Sequence, residues 1–167
     1  MSIGASRIKE IDSVSFDILQ DAYGGGEKIV PPINLKSVID KYGLKLKMGD
    51  FKDSDILGAY DKDKKTIYVA ATETYTRKAF TIAHELGHFF LHNHKQTEFF
   101  FRSDILRMEQ DEQEETEANK FAASLLMPKF LVERFWRQFR SIAIIARIFK
   151  VSHTAARYRL KNLNLIE

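Results

Sequence analysis

Residues 84–88 read His84-Glu85-Leu86-Gly87-His88, inside the stretch FTIAHELGHFFLH at positions 80–92. In a helix, residues four apart share a face, so His84 and His88 can offer two imidazole nitrogens to one metal ion. Glu85, one residue on, is badly placed to join the same coordination sphere but well placed to take a proton from an attacking water. This is the H-E-x-x-H arrangement of a zinc peptidase. Phe80, Ala83, Leu86, Phe89 and Phe90 wrap the segment in apolar side chains, so a polar site on it would be enclosed. Four of the five histidines fall between positions 84 and 94, a concentration that favours ligation over isolated core histidines.

A catalytic zinc is held by three protein ligands and keeps a fourth position for water, so one ligand is still to be found. The sequence offers three sources. His94 stands ten residues after His84, the spacing of H-E-x-x-H-x-x-G-x-x-H, but that pattern needs Gly where this chain has Leu91. His92 continues the i, i+4 series, yet eight residues along a helix rotate it by about 80° from His84 and lift it by about 12 Å. A position outside the coordination sphere, or at the helix end, suits it better. The third source is a carboxylate from another helix, and the acidic run at 112–117 leads into one.

That run is followed by Glu117-Ala118-Asn119 and on to Met127-Pro128, and the two motifs in this order resemble the ImmA/IrrE family of zinc metallopeptidases. The resemblance reaches upstream to about residue 34 and downstream to the C-terminus. It implies a gluzincin-like site with one zinc ion on His84, His88 and Glu117 and with Glu85 as general base. Glu117 is carried over because it directly precedes Ala118-Asn119, with Glu114, one turn earlier, as the fallback. It also implies a role: site-specific cleavage of a protein, a helix-turn-helix repressor, which relieves repression of a mobile element or of stress-response genes.

The rest of the chain fits an α+β, zincin-like peptidase. Its 167 residues, 44% hydrophobic and 29% charged, can bury a real core as one globular domain. With no cysteine, neither disulfides nor thiolate ligands are available, so a metal site must use His and carboxylate. No run has membrane-spanning length and the N-terminus lacks a signal-peptide pattern, which leads us to expect a cytoplasmic protein. Residues 1–30 form an N-terminal extension with an amphipathic helix ended by Gly24-Gly25-Gly26. Residues 31–128 form the peptidase domain. Within it Asn34 caps a helix that stops at Gly43. Three strand-like runs follow, around 44–48, 56–60 and 66–71, the last two joined by the charged turn 61–65. A small antiparallel sheet packed on the active-site helix is expected, with 66–71 as the edge strand that pairs with an extended substrate. Gly87 in mid-helix calls for a close neighbour, either a strand or the helix that bears the third ligand. Phe99-Phe100-Phe101 either tucks into the core or borders the cleft as a flap or substrate contact.

Residues 129–167, a basic helical C-terminal region, change character. Residues 128–167 carry nine Lys or Arg against two acids, a net of +7, whereas 98–117 carry two bases against eight acids, a net of −6. The overall +3 hides this asymmetry. Residues 141–163 read as helix, short turn, helix and resemble a helix-turn-helix, with Arg157, Arg159 and Lys161 on the second helix and Ala156, Leu160 and Leu163 facing in. Lys150 stands at the turn position where Gly is usual. A basic cap, or a docking surface for an acidic or DNA-bound partner, is preferred over direct nucleic-acid binding. The competing function is a regulator that acts by binding DNA or a repressor, with a structural metal.

Overall fold

Helix α3 (Tyr75–Leu91) carries the motif and is the axis of the fold. Thr74 caps it, its hydroxyl accepting from the Arg77 amide at 3.4 Å, and the face from Thr81 to His88 is buried. The computed structural model describes residues 4–92, 98–101 and 113–167. Besides α3, its helices are α1 (Ala5–Tyr23), α2 (Leu35–Lys41), α4 (Gln113–Leu126), α5 (Lys129–Phe139), α6 (Ile142–Phe149) and α7 (His153–Asn162). Local chemistry sets most of these boundaries. Gly24 closes α1 at φ 71°, where a left-handed residue favours glycine. The Asn34 side chain accepts from the Lys36 amide and starts α2, and Ser141 and Ser152 do the same for α6 and α7.

The sheet has four strands, β1 (Lys45–Gly49), β2 (Ile56–Asp61), β3 (Thr66–Ala70) and β4 (Glu98–Phe101), in the order β1-β3-β2-β4. β2 runs antiparallel to both β3 and β4, and β1 runs parallel to β3. The expected antiparallel sheet is therefore mixed. The expected edge strand is also corrected, because β3 lies inside the sheet between β1 and β2 and the edges are β1 and β4. The physical reason is visible in β3 itself. Four of its five residues are buried, the mark of a strand covered on both faces, not of a half-solvated edge. β1, with Lys45 and Lys47 and mostly exposed, has the character of a protected edge. Phe99, Phe100 and Phe101 belong to β4.

The sheet meets α3 through β2 and β3. At Gly58 a Cβ would stand 2.4 Å from Thr81 Cγ2 and 3.4 Å from Glu85 Oε1, so the absent side chain lets β2 lie directly on α3 beside Glu85. On the other side α4 packs on α3. A Cβ at Gly87 would stand 2.9 Å from Ala118 Cα and 3.1 Å from the Ala118 carbonyl oxygen. Glycine there lets two backbones touch, the close neighbour that its place in mid-helix calls for.

One continuous core includes Ile11 and Leu19 of α1, Leu86 of α3, Phe121 and Leu125 of α4, and Ile145 and Leu160 of the tail. The tail is therefore packed into the same core. Arg159, expected on an exposed basic face, is only 2% exposed. Its Nη2 pairs with Asp12 Oδ1 of α1 at 2.8 Å and its Nε donates to the Met127 carbonyl at 3.0 Å. It stands next to the inward Leu160 on α7, and the acid on α1 draws it in. Arg157 and Lys161 remain exposed. Among the described residues no helix is long and apolar enough to cross a membrane.

Candidate metal centre

Two helices supply the site, each with residues four apart. His84 and His88 on α3 turn their Nε2 atoms towards each other at 3.0 Å. Glu115, in the first turns of α4, places its carboxylate oxygens 3.3 Å from His84 Nε2 and 3.0 Å from His88 Nε2. Among the described residues these three form the His/carboxylate group whose ligand atoms lie within 4.8 Å of one another. A tetrahedral ion with donors at about 2.0–2.2 Å requires donor pairs about 3.3–3.6 Å apart, so the set has the size and chemistry for zinc or a similar divalent ion.

The surroundings suit that use. His84 is 1% and His88 3% exposed. Burial pushes the His84 imidazolium pKa down, which favours the neutral ring that ligation needs. His84 Nδ1 lies 2.9 Å from Asn119 Oδ1. An Nδ1–H donated to that oxygen leaves the Nε2 lone pair facing Glu115. Asn119 follows Glu115 by four residues, so the ligand and the group that fixes the tautomer share one face of α4. Burial alone would raise the Glu115 carboxyl, but the His84 and His88 rings hold it well below the usual carboxylate range. Glu85 is 1% exposed and lies on the β2 side of α3, beside Gly58.

Glu117, expected as the third ligand, stands outside this group. Its carboxylate accepts from Arg7 Nη2 at 2.5 Å and Gln113 Nε2 at 2.8 Å, and lies 3.3 Å from His92 Nε2. The hydrogen bond from Arg7 above all lowers its pKa to about 2. Helical rotation explains the difference from the expectation: two residues turn about 200°, so Glu115 and Glu117 cannot face the same point. Ala118, Phe121, Ala122 and Leu125 fill the buried face, with Glu115 on one margin and Glu117 on the other. Glu114, the fallback, is exposed. Sequence reasoning missed Glu115, although its i, i+4 relation to Asn119, matching that of His84 to His88, was a signal that could have found it. His92 lies outside the group, with its Nδ1 3.3 Å from His88 Nδ1, and His94 lies outside the described residues.

Residues 39–161 match the family described as Peptidase M78, the IrrE N-terminal-like domain. The radiation response metalloprotease IrrE of Deinococcus deserti is 35% identical over 115 residues, which cover 62% of this chain and 38% of that protein. The uncharacterized immunity region protein 2 of Bacillus phage phi105 is 31% identical over 83 residues, 48% of this chain and 51% of that one. The chain thus spans about half or less of the length of these two relatives. A solved structure described as a Mycobacterium tuberculosis transcriptional regulator superposes with a TM-score of 0.67, over 91% of this chain and 55% of that one, at 19% identity. This last likeness is one of fold. Because the family match takes in well over half of the chain, from α2 to α7, the protein belongs to the Peptidase M78, IrrE N-terminal-like family.

Proposed function

We propose that the protein is a metal-dependent endopeptidase, with zinc on His84, His88 and Glu115 and with Glu85 as general base. The observation that carries this reading is the convergence of His84, His88 and Glu115 within 4.8 Å, on the helix that also buries Glu85 against β2. The bound ion would supply Lewis acidity, lowering the pKa of water and polarising a peptide carbonyl. Glu85 accepts the proton of the attacking water and returns it to the leaving amine. Asn119 keeps the His84 ring in the ligating tautomer. An edge strand gives an extended peptide a line of backbone partners, and β4, hydrogen-bonded to the β2 that lies on α3, supplies one on the side of Glu85.

The substrate we infer is a protein, with a helix-turn-helix repressor as the leading candidate and relief of repression as the outcome. Support comes from kinship with a radiation response metalloprotease and with a phage immunity region protein. The test is cleavage of purified repressors from the same genome by the zinc-loaded protein, beside Glu85→Gln. That variant is expected to bind zinc as the wild type does and to lose about 10²–10⁴-fold in cleavage rate. Undiminished cleavage by Glu85→Gln would remove the carboxylate from the mechanism.

A further inference from the structure

A ring of contacts behind the metal centre leads from His88 to the N-terminal helix. His88 Nδ1 lies 3.3 Å from His92 Nδ1, and His92 Nε2 lies 3.3 Å from Glu117 Oε2. The same Glu117 oxygen accepts from Arg7 Nη2 at 2.5 Å, and the other accepts from Gln113 at 2.8 Å. Glu117 and His92 side chains are 4% and 5% exposed, so the middle of the chain is shielded from water while Arg7 reaches it from the surface.

One arrangement of protons satisfies every step. If His88 gives Nε2 to a metal, its proton sits on Nδ1 and is donated to His92 Nδ1. The His92 proton then sits on Nε2 and is donated to Glu117, which must be a carboxylate to accept there while also accepting from Arg7 and Gln113. A buried carboxylate is held in place by its cation. Arg7 thus sits at the far end of a series in which each group orients the next.

We propose that Arg7 is a positioning residue of the metal centre: through Glu117 and His92 it fixes the ring of His88, so that α1, which lies before the family-matched residues 39–161, sets how tightly the site holds zinc. The inference rests on the reading of His84, His88 and Glu115 as the ligands. It gives Glu117 a function in this chain that is not ligation, and it makes α1 part of the site instead of an appendage.

The test is zinc affinity of the full chain, stripped by chelator and titrated against a chromophoric competitor. Arg7→Ala is expected to weaken zinc binding about tenfold, the low end of effects from groups outside the coordination sphere, and Arg7→Lys to restore most of it. The effect of Arg7→Ala should vanish in a Glu117→Gln background. Unchanged affinity in Arg7→Ala, or a loss of equal size with and without Glu117, overturns the proposal. Arg7→Gln, which removes the charge and the reach of the guanidinium but keeps a polar side chain that favours a helix, repeats the comparison should the alanine variant fold poorly. Glu115→Gln separates the two readings. If it retains zinc while Glu117→Gln loses it, the ligand set is wrong. If it loses zinc while Arg7→Ala does not change affinity, the ligand set stands and the positioning role fails.

Discussion

At the scale of single residues, the site depends on which nitrogen of each histidine carries its proton. His84 has Asn119 Oδ1 at 2.9 Å from Nδ1, and that acceptor selects the tautomer with Nε2 free to ligate. Asn119→Ala removes the acceptor without touching a ligand, and is expected to weaken zinc binding about 10–100-fold while leaving the fold intact. Asn119→Asp keeps an acceptor at the same place and should bind zinc at least as well as the wild type. Competition titration of the three proteins measures this directly, and an alanine variant with wild-type affinity would show that the amide does not control the ring. The contrast between Glu115 and Glu117 belongs to the same scale. Both are acids of one helical turn, and only rotation about the axis decides which one meets His84 and His88.

At the scale of elements, α3 and α4 act as a clamp whose spacing is set by Gly87. A Cβ there would come within 2.9–3.2 Å of three Ala118 atoms, two of them backbone, and backbone cannot rotate aside as a side chain can. Gly87→Ala is therefore expected to destabilise by about 1–3 kcal/mol despite the better helix propensity of alanine. It should also weaken zinc binding, since moving α4 away carries Glu115 from His84 and His88. Denaturant unfolding in chelator measures the first effect and zinc titration the second. A variant as stable as the wild type would mean that the helices part without cost. Much of this element was legible beforehand: the i, i+4 histidines, the cap at Asn34, and the demand of Gly87 for a close neighbour all follow from local sequence. The order of strands did not, because the parallel pairing of β1 with β3 joins strands that are not consecutive, and nothing in either segment encodes its partner. The third member of the His84–His88 group was not legible for a related reason. Adjacency to Ala118-Asn119 is a property of the string, whereas ligation is a property of a helical face.

At the scale of the whole molecule, the N-terminal helix, α4 and the basic tail meet at one buried point. Asp12 Oδ1 of α1 accepts from Ser124 Oγ of α4 at 2.5 Å and from Arg159 Nη2 of α7 at 2.8 Å, and Arg159 Nε donates to the Met127 carbonyl. An arginine in a basic tail reads as a surface charge, and only the distant Asp12 turns it inward, a pairing 147 residues apart in sequence. Burial costs the Arg159 charge its hydration, and Asp12 offsets part of that cost. Removing the acid alone leaves the guanidinium stranded. Asp12→Ala is therefore expected to destabilise by about 3 kcal/mol, the low end for breaking a buried pair because the Asp12 side chain keeps 19% of its exposure. Arg159→Met in the same background removes the stranded charge and keeps the apolar stem, so the double variant should be more stable than Asp12→Ala. Urea unfolding of the metal-free proteins reads both, and because one core joins all three segments, the midpoint should fall with little change in slope. An Asp12→Ala midpoint equal to that of the wild type, or a double variant no more stable than the single, would mean that α1 is held by its apolar face alone. Arg159 would then be an incidental guest of the core, and Arg7 would stand as the tie between α1 and the metal centre.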